Sequence, residues 1–498
     1  MATILFFSIV ISVFLFDVFL ISSSANARYT NNRLHSSRTA ISPKERATRR
    51  LVRSLDLSPQ EDINSSEIDA PRLNEKKFKF PFLPTSDPSV EDLGSYAGYY
   101  QLPNPVGARM FYFFFESRNR NDEDPVVIWL SGGPGISCSI DLFYANGPFH
   151  ITEDSSLTWN DHGWDKTSNI IYVDQPIGTG LSYINDDSDI RHDLTSVIDD
   201  LYNFLKEFFI KHPQFTHKNF FITGRAYAGH YAPALASRIL EENEKANAIP
   251  IKLKGFAIGN GHINPHIQYP TIPEFALKHN VITELNYSNI EDSMRRCRAY
   301  TRNCVKGIKE ACSVAFDYCF EMIKRTREYA GDTNFFDIRK QRVNGVNYDY
   351  SKMERFFDIP SVKIALNVPQ DKTFVPASKT VFDAYSKKDY MRKFDVEISA
   401  LLEKGIKVLI YAGDQDLLYN WDGKSHVMKS LLEMEWNGKT EFKETSMVPF
   451  KVDGAEVGSI ITRHPLTFIK VSNAGCMVPM DQPKVSLQMI KSWMEREL

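Results

Sequence analysis

The residues from Phe220 to Ala234, FFITGRAYAGHYAPA, have the layout of a reactive turn. Phe220, Phe221 and Ile222 form a short β-prone run, Gly224 permits a sharp turn, and apolar residues from Tyr231 to Ile239 recur at helical spacing. A strand, a tight turn and a helix make a nucleophile elbow, where a serine at the apex projects its hydroxyl above the sheet. Here the apex is Ala226. The frame predicts acyl chemistry, but a methyl group cannot attack a carbonyl.

The elements that must position this turn are legible on both sides of it. ARMFYFFFES (108–117), PVVIWLSGG (125–133) and NIIYVDQP (169–176) are apolar runs of the length expected for strands buried on both faces. LTSVIDDLYNFLKEFFIKHP (194–213) is an amphipathic helix stopped by proline, and LKGFAIGNG (253–261) and GIKVLIYAGDQD (405–416) supply further strands ending in Gly or Asp. This alternation predicts an α/β fold with a central, mostly parallel sheet.

Between Asn264 and about Leu366 the alternation stops and charged, helix-prone sequence takes over, which reads as an insertion. Four of the six cysteines lie in it, at 297, 304, 312 and 319. Each sevenfold pair, Cys297/Cys304 and Cys312/Cys319, lines one helix face. If Val305–Ala311 is the turn of a helical hairpin, Cys304 meets Cys312 and Cys297 meets Cys319, one of three possible connectivities. Sevenfold spacing is unlike the C-x2-C knuckle of a zinc site, and no metal or cofactor is expected.

At 498 residues with 43% hydrophobic content, the chain can bury a sizeable core. Its 59 basic and 62 acidic residues nearly cancel, so nothing global points to nucleic acid or a membrane surface. Ile4–Ile21 is a nearly continuous apolar run followed by Ala25-x-Ala27, read as a signal peptide over 1–27 although no Lys or Arg precedes it. Asp17 within the run disfavours a membrane anchor, so no stable span is expected once the signal is removed. Sequons at Asn64 and Asn286 agree with the secretory pathway, and the nested cysteine connectivity suits an oxidising compartment. Residues 28–79 read as a pro-segment or flexible arm, with one helix candidate opening on the capping box Ser42-Pro43-Lys44-Glu45 and continuing through Ala47, Leu51 and Leu55.

WLSGGPG with YANGPF, IIYVDQPIGTGLSY, FFITGRAYAGHY, YAGDQD and MVPMDQP stand in the order found in the serine carboxypeptidases, and the chain from about Tyr96 onward resembles that family, particularly its plant branch. The resemblance implies an α/β-hydrolase fold over 80–498 with a helical insertion over the active-site face. It implies an ancestral activity of releasing C-terminal residues from peptides or, in some plant members, transferring acyl groups.

The same resemblance locates what is missing. The elbow motif G-E-S-Y-A-G corresponds to Gly224–Gly229, so Ala226 stands at the nucleophile position; Cys476 stands where the family has its His, and Asp416 is the retained triad acid. The oxyanion-hole amides map to Gly133 and Tyr227. The family's terminal-carboxylate network maps to Ser131, Ala145 and Arg225, and cysteines that plant relatives carry near Ile136, Arg342, Asn347 and Ala377 are absent, leaving Cys138 without an obvious partner.

Two readings follow. One is a secreted or vacuolar pseudoenzyme that keeps the pocket and binds a peptide or acyl-type ligand, with Arg225 as a carboxylate receptor if its side chain enters the pocket rather than turning to solvent or pairing with an internal carboxylate such as Asp416. The other is a carboxypeptidase or acyltransferase with a rearranged mechanism. Cys476 as a substitute nucleophile competes with a buried inert thiol, and His230 with a structural role in the elbow helix; the structural reading is expected for both.

Overall fold

The computed structural model describes residues 72–80, 94–103, 107–245, 249–421 and 427–495. The expected signal peptide, the Asn64 sequon and the arm's helix candidate lie outside them.

The fold is built on an 11-stranded sheet. In spatial order its strands are Leu73–Lys77, Ser95–Gln101, Arg109–Phe115, Asn169–Val173, Val126–Leu130, Phe220–Arg225, Leu253–Gly259, Lys407–Gly413, Leu466–Val471, Ala455–Arg463 and Val448–Val452. From Asn169–Val173 to Leu466–Val471 every neighbouring pair is parallel; the strands flanking this centre pair antiparallel.

The central runs are apolar throughout because both faces are covered. Met110, Tyr112 and Phe114 enter one core, while Phe111, Phe113 and Phe115 enter the other. Val126, Ile128 and Leu130 likewise part from Val127 and Trp129, following the two-residue period of a strand. Helices Leu194–Lys211 and Ala228–Asn243 pack together under the first face. Asp193 caps the former by accepting the Ser196 N–H at 2.9 Å, and Pro213 lies just beyond its end.

The arm ends earlier than the sequence suggests. Leu73–Lys77 pairs antiparallel with Ser95–Gln101 as the edge strand, and Phe78 and Phe80 enter the aromatic core beside Phe113, Phe115 and Phe149. LNEKK is too charged to read as a strand by itself, and edge position explains why it need not be apolar.

No strand of the main sheet falls between 264 and 366, so the insertion is helical as expected. Glu284–Val305 and Lys309–Ala330 form a hairpin closed by disulfides Cys297–Cys319 and Cys304–Cys312. The second helix begins inside the segment expected as the turn, which is consequently tighter, with Gly307 at φ +88°.

Candidate functional site

Strand Phe220–Arg225 delivers the elbow, but the sharp turn falls on Ala226, not Gly224. Ala226 has φ +52°, a left-handed conformation that costs a residue with a Cβ about 1–2 kcal/mol. It is over-determined by its neighbours: its N–H donates to Gly259 O at 2.9 Å, and its carbonyl accepts from Gly229 and His262, each at 2.9 Å. Gly224 serves close approach instead, since a Cβ there would lie 2.2 Å from Leu130 O and 2.6 Å from the Ala228 Cβ. Gly132 is likewise required, because its Cβ would meet that of Ala226 at 2.8 Å.

The structure brings the three triad positions together. Ala226, Cys476 and Tyr419 form one small buried cluster with Phe336 and Leu418 against it. Asp416 lies beside the Cys476 thiol and accepts from Leu418 N at 2.9 Å, Tyr419 N at 3.2 Å and Asn260 Nδ2 at 2.8 Å. Burial nevertheless pushes its carboxyl up to about 7, because three neutral donors do not replace full hydration of the charge. The Cys476 thiol is only 2% exposed, and burial followed by the neighbouring Asp416 raises its pKa well above the ordinary thiol value, with Arg225 opposing. It is a protonated thiol and a poor nucleophile.

Of the two positions expected to supply oxyanion amides, Tyr227 follows Ala226 and Gly133 (φ +117°) follows Gly132, which lies against the Ala226 Cβ and Tyr227 N, and among the described residues no backbone carbonyl accepts the N–H of either. Both amides depend on backbone placement, which explains how they persist when the side-chain chemistry does not.

Among the positions expected to match the family's carboxylate network, Arg225 forms an internal ion pair. Arg225 Nε donates to Asp141 Oδ1 at 2.6 Å, and Ser131 Oγ donates to the other carboxylate oxygen. Ser131, Asp141 and Ala145 are buried, and the Arg225 side chain is 11% exposed. Burial disfavours the Arg225 cation, but Asp141 outweighs it and holds the guanidinium charged. Arg225 is therefore matched by Asp141, not by Asp416 and not by solvent. Asp141 carries no signal in the sequence, because it stands among apolar residues of the helix Cys138–Tyr144 with no motif to mark it. Asn260 was foreshadowed only by the Gly-Asn-Gly ending of its strand.

His230 lies in the elbow helix, fully buried. It stacks on His262 with ring centroids 4.9 Å apart and on Phe394 at 4.3 Å, and neither imidazole has a hydrogen-bond partner. Burial lowers both pKa values, that of His262 to about 3. Cys138 is a free, buried thiol at the start of its helix, as is Cys476 in its loop. Ile136 and Ala377 meet as a β-bridge without cysteines to join them. Asn286 is half-buried in the first turn of its helix and donates its N–H to Thr283 Oγ1 at 3.2 Å. Among the described residues there is no cluster of three His, Cys, Asp or Glu able to hold a metal, and no helix is long and apolar enough to cross a membrane.

Comparison with known proteins bears on the family and the fold. Residues 84–496 match the family model described as serine carboxypeptidase. Serine carboxypeptidase-like 48 of Arabidopsis thaliana is 46% identical over 99% of this chain and 97% of its own length. Serine carboxypeptidase 3 of Oryza sativa subsp. japonica is 48% identical over 90% of this chain and 89% of its own. Among solved structures, the prohormone-processing carboxypeptidase Kex1(delta)p of Saccharomyces cerevisiae superposes with a TM-score of 0.76 at 26% identity, covering 84% of this chain and 95% of that one. With its α/β-hydrolase sheet and this match over most of its length, the chain belongs to the serine carboxypeptidase family.

Proposed function

We propose that this chain is a non-hydrolytic member of its family, a pseudoenzyme of the secretory pathway that retains the substrate frame without the reacting atoms. One observation carries the reading: the Ala226 methyl occupies the apex of an otherwise complete elbow, with a buried, protonated thiol at the base position. Removing a triad Ser or His alone costs about 10^6 in turnover, and the oxyanion amides with binding leave about 10^3 to 10^4 over water. Peptide or ester carbonyls remain the ligand class that fits two free amides.

Arg225 contributes less to carboxylate recognition than its position implies, because Asp141 already balances its charge. A rearranged hydrolase or acyltransferase has no support in the site, since the one thiol beside Ala226 is held protonated. Two disulfides in the insertion favour an oxidising compartment.

The test is steady-state turnover of purified, mass-verified protein on N-blocked dipeptides and on acyl esters with an alcohol acceptor, from pH 4 to 8. No turnover above the oxyanion background is expected for either. Turnover at the level of an active carboxypeptidase or acyltransferase would overturn the proposal.

A further inference from the structure

A groove of about 540 Å³ opens beside the sheet between the loop 178–190 and the loop 371–380. Leu181, Tyr183, Ile184 and Val375 give it an apolar floor, and Asp187 and Asp371 stand at its edge. Its acidic side continues along Asp186 and Asp189, and no described cation pairs with Asp186, Asp187 or Asp189. The groove's own lysines are already engaged: Lys372 lies 3.8 Å from Asp371 and over the Tyr183 ring at 4.5 Å, and Lys379 pairs with Asp383. The surface therefore offers apolar area edged by the Asp187 carboxylate, with Asp186 and Asp189 beside it, while Asp371 is paired with Lys372.

We infer that the basic N-terminal arm of this same chain, residues 28–55, docks in this groove. Its charge is complementary: the segment carries eight Arg or Lys against one Glu, a net +7 by subtraction. Its apolar residues Ala47, Leu51 and Leu55 recur every four positions, so a helix there would present one apolar stripe flanked by Arg46, Arg50 and Arg53. The point of attachment is also close. Arg72 O accepts from Gln101 N at 2.8 Å, Gln101 faces Arg109 in the next strand, and Arg109 N donates to Tyr183 O at 3.0 Å. Three strand spacings, about 15 Å, separate Arg72 from the groove wall, and residues 56–71 reach up to about 50 Å when extended.

Tethering places the arm at an effective concentration of order millimolar, so weak complementary contacts suffice to keep it docked. The groove also communicates with the elbow. Ala377 bridges to Ile136, and Ser378 N donates to Gly135 O at 2.7 Å, two residues beyond the oxyanion amide of Gly133. An occupied groove would hold that loop in place.

Hydrogen exchange read by mass spectrometry tests the inference, comparing the chain from residue 28, the chain lacking 28–55, and the variant Asp187→Lys/Asp189→Lys, which spares the Asp186 carboxylate that caps the turn 187–189. The expected result is that loops 178–190 and 371–380 exchange about tenfold faster in the deletion and in the charge variant than in the intact chain, and that 0.5 M salt brings the intact chain to the same rates. The substituted carboxylates lie outside the core, so the charge variant decides the question even if the deletion fails to fold. Equal rates in the intact chain and the charge variant would overturn the inference. Protection that disappears on dilution would also overturn it, by assigning the groove to a second copy.

Discussion

Arg225 Nε stands 2.6 Å from Asp141 Oδ1, an ion pair beside the place where the family's chemistry would occur. The carboxylate is fully buried, so its removal from water is tolerated only with the cation in place. Arg225→Ala is expected to destabilise the fold by about 3 kcal/mol by orphaning Asp141, measured by chemical denaturation. The double variant Arg225→Met/Asp141→Leu should recover most of that loss. Additive losses in the cycle of Arg225→Met, Asp141→Leu and the double variant would show that the pair is not coupled.

Asp416 provides a pH test whose sign is set by burial. Its carboxyl is raised to about 7 in the fold against an ordinary value of 3.8, so between these limits the folded state binds the extra proton. Stability from this group is greatest at low pH and is lost as pH rises through about 7, by up to about 1.4 kcal/mol per pH unit. Asp416→Asn, which cannot ionise, should therefore be relatively more stable at pH 8 than at pH 5. A stability difference from the parent that does not change with pH would contradict this.

The histidine pair pulls the other way. His230 and His262 are held neutral by burial, while their unfolded counterparts protonate below about 6.5. Protons then favour the unfolded chain, and stability falls as pH drops from 6.5 toward about 3. His262→Leu keeps the packing and removes one such group, so it should lose less stability than the parent between pH 7 and 4.5. Parallel pH profiles would show that His262 does not carry this penalty.

How much of this was legible in the sequence differs by feature. The central strands could be read because burial on both faces demands unbroken apolar runs, as in Phe111–Phe115. The nested cysteines could be read because helical periodicity fixes which of them share a face. Leu73–Lys77 could not, since an edge strand needs no apolar pattern. Asp141 could not either: its role depends on Arg225, 84 residues away, and no local signal records such a meeting. Gly224 reads from the sequence as the residue that permits the sharp turn at the Ala226 apex, whereas the left-handed residue is Ala226 itself, held there by three backbone hydrogen bonds.

The two disulfides should differ in worth. Cys297–Cys319 closes a separation of 22 residues and Cys304–Cys312 one of 8. In the chain-entropy model these correspond to about 3.4 and about 2.5 kcal/mol. Replacing the outer pair with serine should lower the denaturation midpoint more than replacing the inner pair. The reverse order would mean that native packing at the hairpin tip, not loop closure, sets their contribution.

The central claim is that the elbow, complete in its backbone, lacks only reactive side chains. Intact-mass analysis after treatment with a serine-directed phosphonofluoridate tests it most directly, on the parent chain, on Ala226→Ser and on Ala226→Ser/Cys476→His. No adduct is expected on the parent, little or none on the single variant, which has a hydroxyl but no imidazole, and one adduct at position 226 on the double variant, where Asp416 can again orient a histidine. Stoichiometric labelling of the parent would contradict the account.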